Sequence, residues 1–144
     1  MLRRQIGPTL FLLLGFSAFP LWATEVAVTT KTVKACDFAL NPTLAIIKRV
    51  PHPSNWKVVI VCTDMEWDRL LMLDKRIEHI SNYAFTRFSP NDPTIRPVTY
   101  IRGHLFVENP PFNYRPERVL KHELGHIFCK CMNEDTASNW ADQH

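Results

Sequence analysis

Glycine is scarce in this sequence, and its scarcity excludes a large class of functions. The 144 residues contain four glycines, and two of them, Gly7 and Gly15, lie within the first fifteen positions. Without a glycine-rich loop, the backbone cannot approach phosphate groups as P-loop and dinucleotide-binding folds require. The sequence also lacks internal repeats and low-complexity tracts. Its hydrophobic content of 46% suits one globular domain.

Residues 1–23 have the features of a secretion signal. Arg3 and Arg4 give a positive start, an apolar run follows over residues 10–19, and Ala23 offers a small residue for cleavage. The apolar run is too short to span a membrane comfortably. We expect cleavage after Ala23 and a periplasmic or secreted product without a stable membrane span. An uncleaved N-terminal anchor is the alternative.

The mature chain lacks an excess of charge of either sign. The full sequence has 17 basic and 14 acidic residues, and removing Arg3 and Arg4 leaves 15 basic against 14 acidic. This near-neutral balance gives no electrostatic reason to expect binding to nucleic acid or to an anionic membrane surface.

Four cysteines, Cys36, Cys62, Cys129 and Cys131, all lie in the exported part. An even number in an oxidising compartment indicates two disulfides, for which three pairings exist. A bond between Cys129 and Cys131 would close a very small ring, so we expect each of them to pair with Cys36 or Cys62. A zinc–cysteine site is less favoured, because Cys129 and Cys131 lack the usual two-residue gap.

The hydrophobic pattern predicts an α+β fold with a small, partly antiparallel sheet. Residues 24–55 read as an N-terminal arm, extended to residue 41 and followed by a short helix over 42–50. Residues 56–144 form the main domain. Its predicted elements are a buried strand over 56–62, a helix over 64–82 that begins with a Thr63–Glu66 capping box, strands over 83–88 and 98–107, a helix from Pro116, and a second helix from Glu134.

The helix from Pro116 carries the motif that points to chemistry. Its apolar positions recur with helical spacing at Leu120, Leu124, Ile127, Phe128 and Cys131. On a different face, His122 and His126 lie one turn apart, and Glu123 follows the first of them. This is the H-E-x-x-H pattern, in which two imidazoles bind one zinc ion and the glutamate takes a proton from the water that zinc activates.

Zinc needs a third protein ligand and an open position for water. Asn133 is a good helix cap, and the following residues place Glu134, Ala137, Ser138 and Ala141 on one helical face. A carboxylate followed by small residues suits close packing against the motif-bearing helix. We therefore predict Glu134 as the third ligand, with Asp135, Asp142 and His144 as alternatives.

The segment HELGH followed by NEDTASNWA resembles the gluzincin branch of zinc metallopeptidases, and in particular the small ImmA/IrrE-type domains. The resemblance covers roughly residues 56–141 and implies a zincin-like fold. It implies His122, His126 and Glu134 as ligands of one zinc ion and Glu123 as the base. The metzincin pattern is absent, since Cys129 stands where that pattern has glycine.

Such a site also needs a donor for the oxyanion that forms during peptide hydrolysis. The sequence offers three candidates, His104, Tyr100 and Tyr114. The strand over residues 98–107 is also a candidate for pairing with an extended substrate at a sheet edge.

These observations predict an exported zinc metallopeptidase that acts on a protein or peptide substrate, with an envelope protein as a candidate partner. One alternative is a non-catalytic metal-binding interaction domain of the cell envelope. The other is a metal-free binding module held by disulfides. The presence of Glu123 favours the enzyme, because a structural zinc site does not need a base.

Overall fold

The computed structural model describes residues 24–29, 36–73, 83–107 and 109–144. Across these ranges the chain forms an α+β domain, as predicted. Residues 1–23, the predicted secretion signal, lie outside the described residues. The elements are β1 (Glu25–Val28), α1 (Asp37–Ile47), β2 (Lys57–Val61), α2 (Asp64–Leu73), β3 (Ala84–Arg87), β4 (Val98–Arg102), two 3-10 helices (Gly103–Phe106 and Phe112–Tyr114), α3 (Pro116–Cys129) and α4 (Glu134–Gln143).

The four described strands form one mixed sheet in the order β1-β2-β4-β3. Strands β1, β2 and β4 are parallel, and β3 runs antiparallel to β4. This confirms the predicted partly antiparallel sheet. In the β3–β4 register Thr86 lies opposite Thr99, a pairing that matters for the site described below.

The alternation of side chains along β4 separates two hydrophobic clusters. Ile101 joins the larger cluster with Leu120 and Leu124 of α3, and residues of α1 complete it. The smaller cluster contains Trp67 of α2 and includes Tyr100 at its margin. Helices α1 and α3 therefore cover one face of the sheet, and α2 covers the other.

The predicted strand over residues 98–107 is shorter than expected and is not an edge strand. It ends at Arg102, and a 3-10 helix replaces its second half. A Cβ added at Gly103 would lie 3.1 Å from the Cys36 sulfur and 3.2 Å from the Val61 carbonyl oxygen, so the chain turns where space is tight. Because β4 pairs with both β2 and β3, the prediction that it binds substrate by edge addition is wrong.

The first described segments are more ordered than the predicted extended arm. Residues 25–28 form β1, and the helix begins at Asp37 and runs through Pro42 instead of starting there. In α2 the Thr63–Glu66 capping box is confirmed by reciprocal hydrogen bonds of 3.2 Å. Residues 74–82, the predicted continuation of α2, lie outside the described residues. No helix in the described ranges is long and apolar enough to cross a membrane.

Helices α3 and α4 pack closely where Gly125 faces Ala137. A Cβ added at Gly125 would lie 2.6 Å from the Ala137 carbonyl oxygen and 2.7 Å from its Cα. Asn133 caps α4, as predicted, by accepting a hydrogen bond of 2.8 Å from the Thr136 backbone N–H. The apolar face of α3 is buried at Leu120, Leu124 and Ile127, whereas Phe128 is half-exposed and stacks on Trp140.

This contact predicts that Gly125→Ala destabilises the protein. Replacing glycine by alanine inside a helix ordinarily stabilises by about 0.5–1 kcal/mol. Here the added methyl group meets backbone, and such overpacking costs about 1–3 kcal/mol. Urea denaturation measures the change in the free energy of unfolding. Adding Ala137→Gly should not restore stability, because the opposing atoms belong to the backbone; a gain in stability from Gly125→Ala would contradict the contact.

Candidate metal centre

The two histidines of the motif meet the glutamate of the next helix at one point. The Nε2 atoms of His122 and His126 are 3.2 Å apart. Glu134 places one carboxylate oxygen 2.9 Å from His122 Nε2 and the other 3.5 Å from His126 Nε2. In the part of the chain that the structure describes, these are the one set of three or more histidine, cysteine or acidic side chains that could hold a metal ion, with ligand atoms within 4.8 Å of one another.

The other ring nitrogens are also engaged, which orients both imidazoles. His126 Nδ1 lies 3.0 Å from the Cys131 carbonyl oxygen, and His122 Nδ1 lies 3.1 Å from Ser138 Oγ. Since a carbonyl only accepts, His126 Nδ1 carries a proton, and in the neutral ring Nε2 is then the nitrogen with the lone pair that can bind a metal ion. Hydrogen bonds of this kind fix the tautomer and ring orientation of metal-binding histidines.

Burial keeps His122 in the form that binds metals. Its pKa is lowered, chiefly by burial and next by the neighbouring His126, while the carboxylate of Glu134 opposes the shift. A neutral imidazole is the form that binds metal ions. The side chain of His126 is 6% exposed and that of Glu134 is 57% exposed, so the group opens to solvent on its α4 side.

The turn between α3 and α4 corrects the predicted disulfides. Cys129 pairs with Cys131, and Cys36 pairs with Cys62. Lys130 adopts a left-handed conformation with φ of 54°, the one non-glycine residue with positive φ among those described. The chain thus reverses at once, with the Cα atoms of Cys129 and Cys131 5.2 Å apart. Sequence spacing alone suggested a strained ring because it could not show this turn.

Glu123 is a buried acid beside the histidine pair. It is 4% exposed, and its Oε2 accepts a hydrogen bond of 2.7 Å from Thr86 Oγ1. Burial raises the pKa of Glu123 to about 7, the Thr86 hydrogen bond opposes this, and the negative charge of Glu134 adds to it. A general base works best with a pKa near the operating pH.

The three predicted oxyanion donors lie elsewhere. Tyr100 belongs to the cluster on the α2 face of the sheet, opposite to α3. His104 places Nδ1 3.6 Å from the Asp64 carboxylate, and the Tyr114 ring packs against Tyr83 at 4.8 Å. None of the contacts described for these side chains joins them to the metal-ligand group.

The alternative third ligands are also outside the group. Asp142 pairs with Arg118 at 2.9 Å, and His144 stacks on Trp140 with ring centroids 4.2 Å apart. Asp135 is exposed in the first turn of α4. Of the candidates named from the sequence, the structure brings Glu134 to the histidines.

Sequence reasoning missed Thr86 and the Cys131 carbonyl, and it placed Ser138 on the packing face of α4 without its contact to His122. Ser138 follows Glu134 by one helical turn, so its contact with His122 could have been inferred from spacing. Thr86 carries no such signal, because its position depends on how β3 pairs with β4. The Cys131 carbonyl is a backbone group and leaves no signal in the sequence.

A comparison of the chain with protein-family models, curated proteins and solved structures finds no match. The interpretation of the site therefore depends on its own geometry and on the chemistry of its residues.

Because the Cys131 carbonyl oxygen bonds to His126, we predict that the disulfide between Cys129 and Cys131 supports metal binding. Replacing Cys129 and Cys131 together by serine frees the Lys130 turn and the carbonyl that orients His126. We expect zinc affinity to fall by roughly 10-fold or more, as for other groups that orient metal ligands. Competition with a fluorescent chelator measures the affinity. The matched control replaces Cys36 and Cys62 by serine, which removes the disulfide between the start of α1 and the end of β2 and leaves the α3–α4 turn intact. Equal affinity in all three proteins would contradict the prediction.

The raised pKa of Glu123 predicts a pH dependence of stability in metal-free protein. Between pH 4.5 and about 7 the folded chain holds this proton more tightly than the unfolded chain. The free energy of unfolding should therefore fall as pH rises through this window, by roughly 3 kcal/mol. Denaturation in the presence of a chelator measures it. Glu123→Gln removes this contribution and keeps that of His122, so the difference between the two proteins should change with pH. A constant difference would contradict the assignment.

Proposed function

We propose that this chain is an exported zinc-dependent metallopeptidase with Glu123 as its general base. The observation that carries the proposal is the meeting of His122, His126 and Glu134, with a buried carboxylic acid next to the first histidine. Two imidazole nitrogens and one carboxylate oxygen are the ligand set of many catalytic zinc sites. A structural site, by contrast, is usually closed by four protein ligands.

The residues present fit a zinc ion. Both histidines turn Nε2 toward the group and engage Nδ1 elsewhere, and the pKa of His122 is lowered toward the neutral form. The carboxylate that completes the group is exposed and leaves room for water and substrate. When bound here, zinc would supply a Lewis acid that polarises a peptide carbonyl and makes water a stronger nucleophile at neutral pH.

The remaining chemistry belongs to Glu123. As a carboxylate it takes a proton from the attacking water while the water oxygen bonds to the peptide carbonyl carbon. It then gives that proton to the amide nitrogen as the carbon–nitrogen bond breaks. Without a metal ion, burial raises the pKa of Glu123 to about 7, so neither protonation state is strongly favoured near neutral pH.

The resemblance to gluzincins is part of this proposal. Three features support it. Glu134 is the first residue of the helix that follows the H-E-x-x-H helix, and the small residue Ala137 of α4 packs on α3. The edge strand of the described sheet that contacts α3 is the antiparallel strand β3. The two disulfides support export to the periplasm or the extracellular space, since such bonds persist in oxidising compartments.

A second candidate function is a non-catalytic metal-binding interaction domain. It is favoured by two pockets of about 410 and 250 Å³ in the described part of the chain, neither of which is lined by His122, His126 or Glu134. Glu123 separates the candidates, because a domain that only binds metal has no use for an acid buried at this cost.

The first test is the zinc content of the mature protein. We expect about one zinc ion per chain, since the structure offers one group of three ligands. Removing one ligand by Glu134→Ala should weaken binding sharply, as measured by elemental analysis after dialysis. Asp135→Ala is the matched control, since it changes an exposed neighbouring carboxylate and should leave zinc bound. Wild-type protein that binds no zinc would overturn the proposal.

The second test separates catalysis from metal binding. Glu123→Gln should retain zinc and lose hydrolysis of a quenched-fluorescent peptide library by at least about 100-fold, the usual contribution of a general base. If zinc-loaded wild type and Glu123→Gln are equally inactive, the interaction-domain candidate is supported instead.

A further inference from the structure

A chain of hydrogen bonds runs through the sheet and ends on Glu123. Trp56 Nε1 donates to Thr99 Oγ1 at 2.9 Å, the Thr99 and Thr86 hydroxyl oxygens are 2.8 Å apart, and Thr86 Oγ1 donates to Glu123 Oε2 at 2.7 Å. Trp56 and Thr99 are fully buried. The chain therefore links a tryptophan in the core to the proposed base through two threonines.

The direction of the chain follows from what each group can donate. An indole N–H can only donate, and a hydroxyl has one proton to give. Thr99 accepts from Trp56 and passes its own proton to Thr86, which leaves the Thr86 proton for Glu123. If Thr86 donated to Thr99 instead, the buried Thr99 hydroxyl would have no acceptor among its described partners. In this arrangement the indole N–H and both hydroxyl protons each have an acceptor, and the last acceptor is Glu123.

The fold builds this chain from residues distant in sequence. Thr86 and Thr99 are direct partners across the antiparallel β3–β4 pair, and both project toward α3. Trp56 immediately precedes β2, whose first residue, Lys57, pairs with Val98, so its indole reaches Thr99. Buried hydroxyls in a hydrophobic core are costly unless they are bonded, and valine would fill the same space at no such cost.

We propose that Trp56, Thr99 and Thr86 are positioning residues that hold Glu123 Oε2 and thereby direct Oε1 to the reacting water. This inference rests on the proposed function, because it gives a role to the base. Thr86 is the direct contact, and Thr99 acts through it. Oε1 takes no part in these hydrogen bonds, because Thr86 donates to Oε2.

The activity test uses threonine-to-valine substitutions, which keep shape and remove the hydroxyl. Thr86→Val and Thr99→Val should each lower kcat on the best library peptide by roughly 10- to 100-fold, with KM within about twofold and zinc content unchanged. Thr86→Ser restores the hydroxyl and should recover kcat. The matched control is Thr43→Val, which removes another fully buried hydroxyl, one that bonds to the Ala39 carbonyl in α1. It should leave kcat unchanged.

A second readout does not need activity or zinc. In chelator-treated protein, the effect of Thr99→Val on the unfolding equilibrium should differ between the Glu123 and Glu123→Leu backgrounds by about fivefold or more, because the residues are coupled through Thr86 and leucine cannot accept its hydrogen bond. In the Thr86→Val background this coupling should vanish. If Thr86→Val or Thr99→Val does not fold, Trp56→Phe breaks the far end of the chain and is measured in the same way.

The outcomes are distinct. Loss of kcat with serine rescue and measurable coupling supports the proposal. Unchanged kcat in Thr99→Val, or additive effects of Thr99 and Glu123 on unfolding, overturns it. If wild-type protein cleaves no peptide, the proposed function fails, and the coupling alone decides whether the chain holds Glu123.

Discussion

The close approach of α3 and α4 is the contact on which the candidate metal centre depends. Two histidines one turn apart are a property of one helix, but the third ligand comes from the next, and it arrives only because Gly125 lets the Ala137 backbone come near. The left-handed Lys130 makes this approach possible within a few residues. The glycine of the H-E-x-x-H segment therefore has a structural reason that is independent of the metal ligands on either side of it.

A second constraint is the burial of Glu123. An acid removed from water resists ionisation, and a base must be ionised to accept a proton. The hydrogen bond that Thr86 donates to Glu123 favours the ionised form and so opposes the effect of burial on the pKa. Thr86 is held in place by its pairing with Thr99 in the sheet. The result, without a metal ion, is a buried carboxylic acid whose pKa is raised to about 7. The polar groups of Trp56, Thr99 and Thr86 are hydrogen-bonded to one another, and the last of them bonds to the proposed base.

Local patterns predicted most of the elements, and contacts between elements were harder to predict. The strand at 57–61, the α2 capping box, the start of α3 at Pro116 and the Asn133 cap all follow from short-range signals. The position of β4 between β2 and β3 is a property of the sheet order, so an edge role for it could not be tested from sequence. The predicted disulfide pairing was wrong for a related reason, because residue spacing does not reveal the left-handed turn at Lys130. Glu134 could be anticipated because it lies only eight residues beyond His126.

The metal ligands and the support of the base have different origins in the chain. Four residues of the candidate metal centre fall within 17 consecutive positions, so it needs little more than two helices and the turn between them: His122, His126, Glu134 and Ser138. Glu123 depends in addition on β3, β4 and the residue before β2, which the chain must bring together over distances of up to 43 residues. Damage to the sheet should therefore impair the base before it impairs the ligands. Under the proposed function, such damage would remove hydrolysis and leave metal binding, so metal content and hydrolysis have to be measured separately.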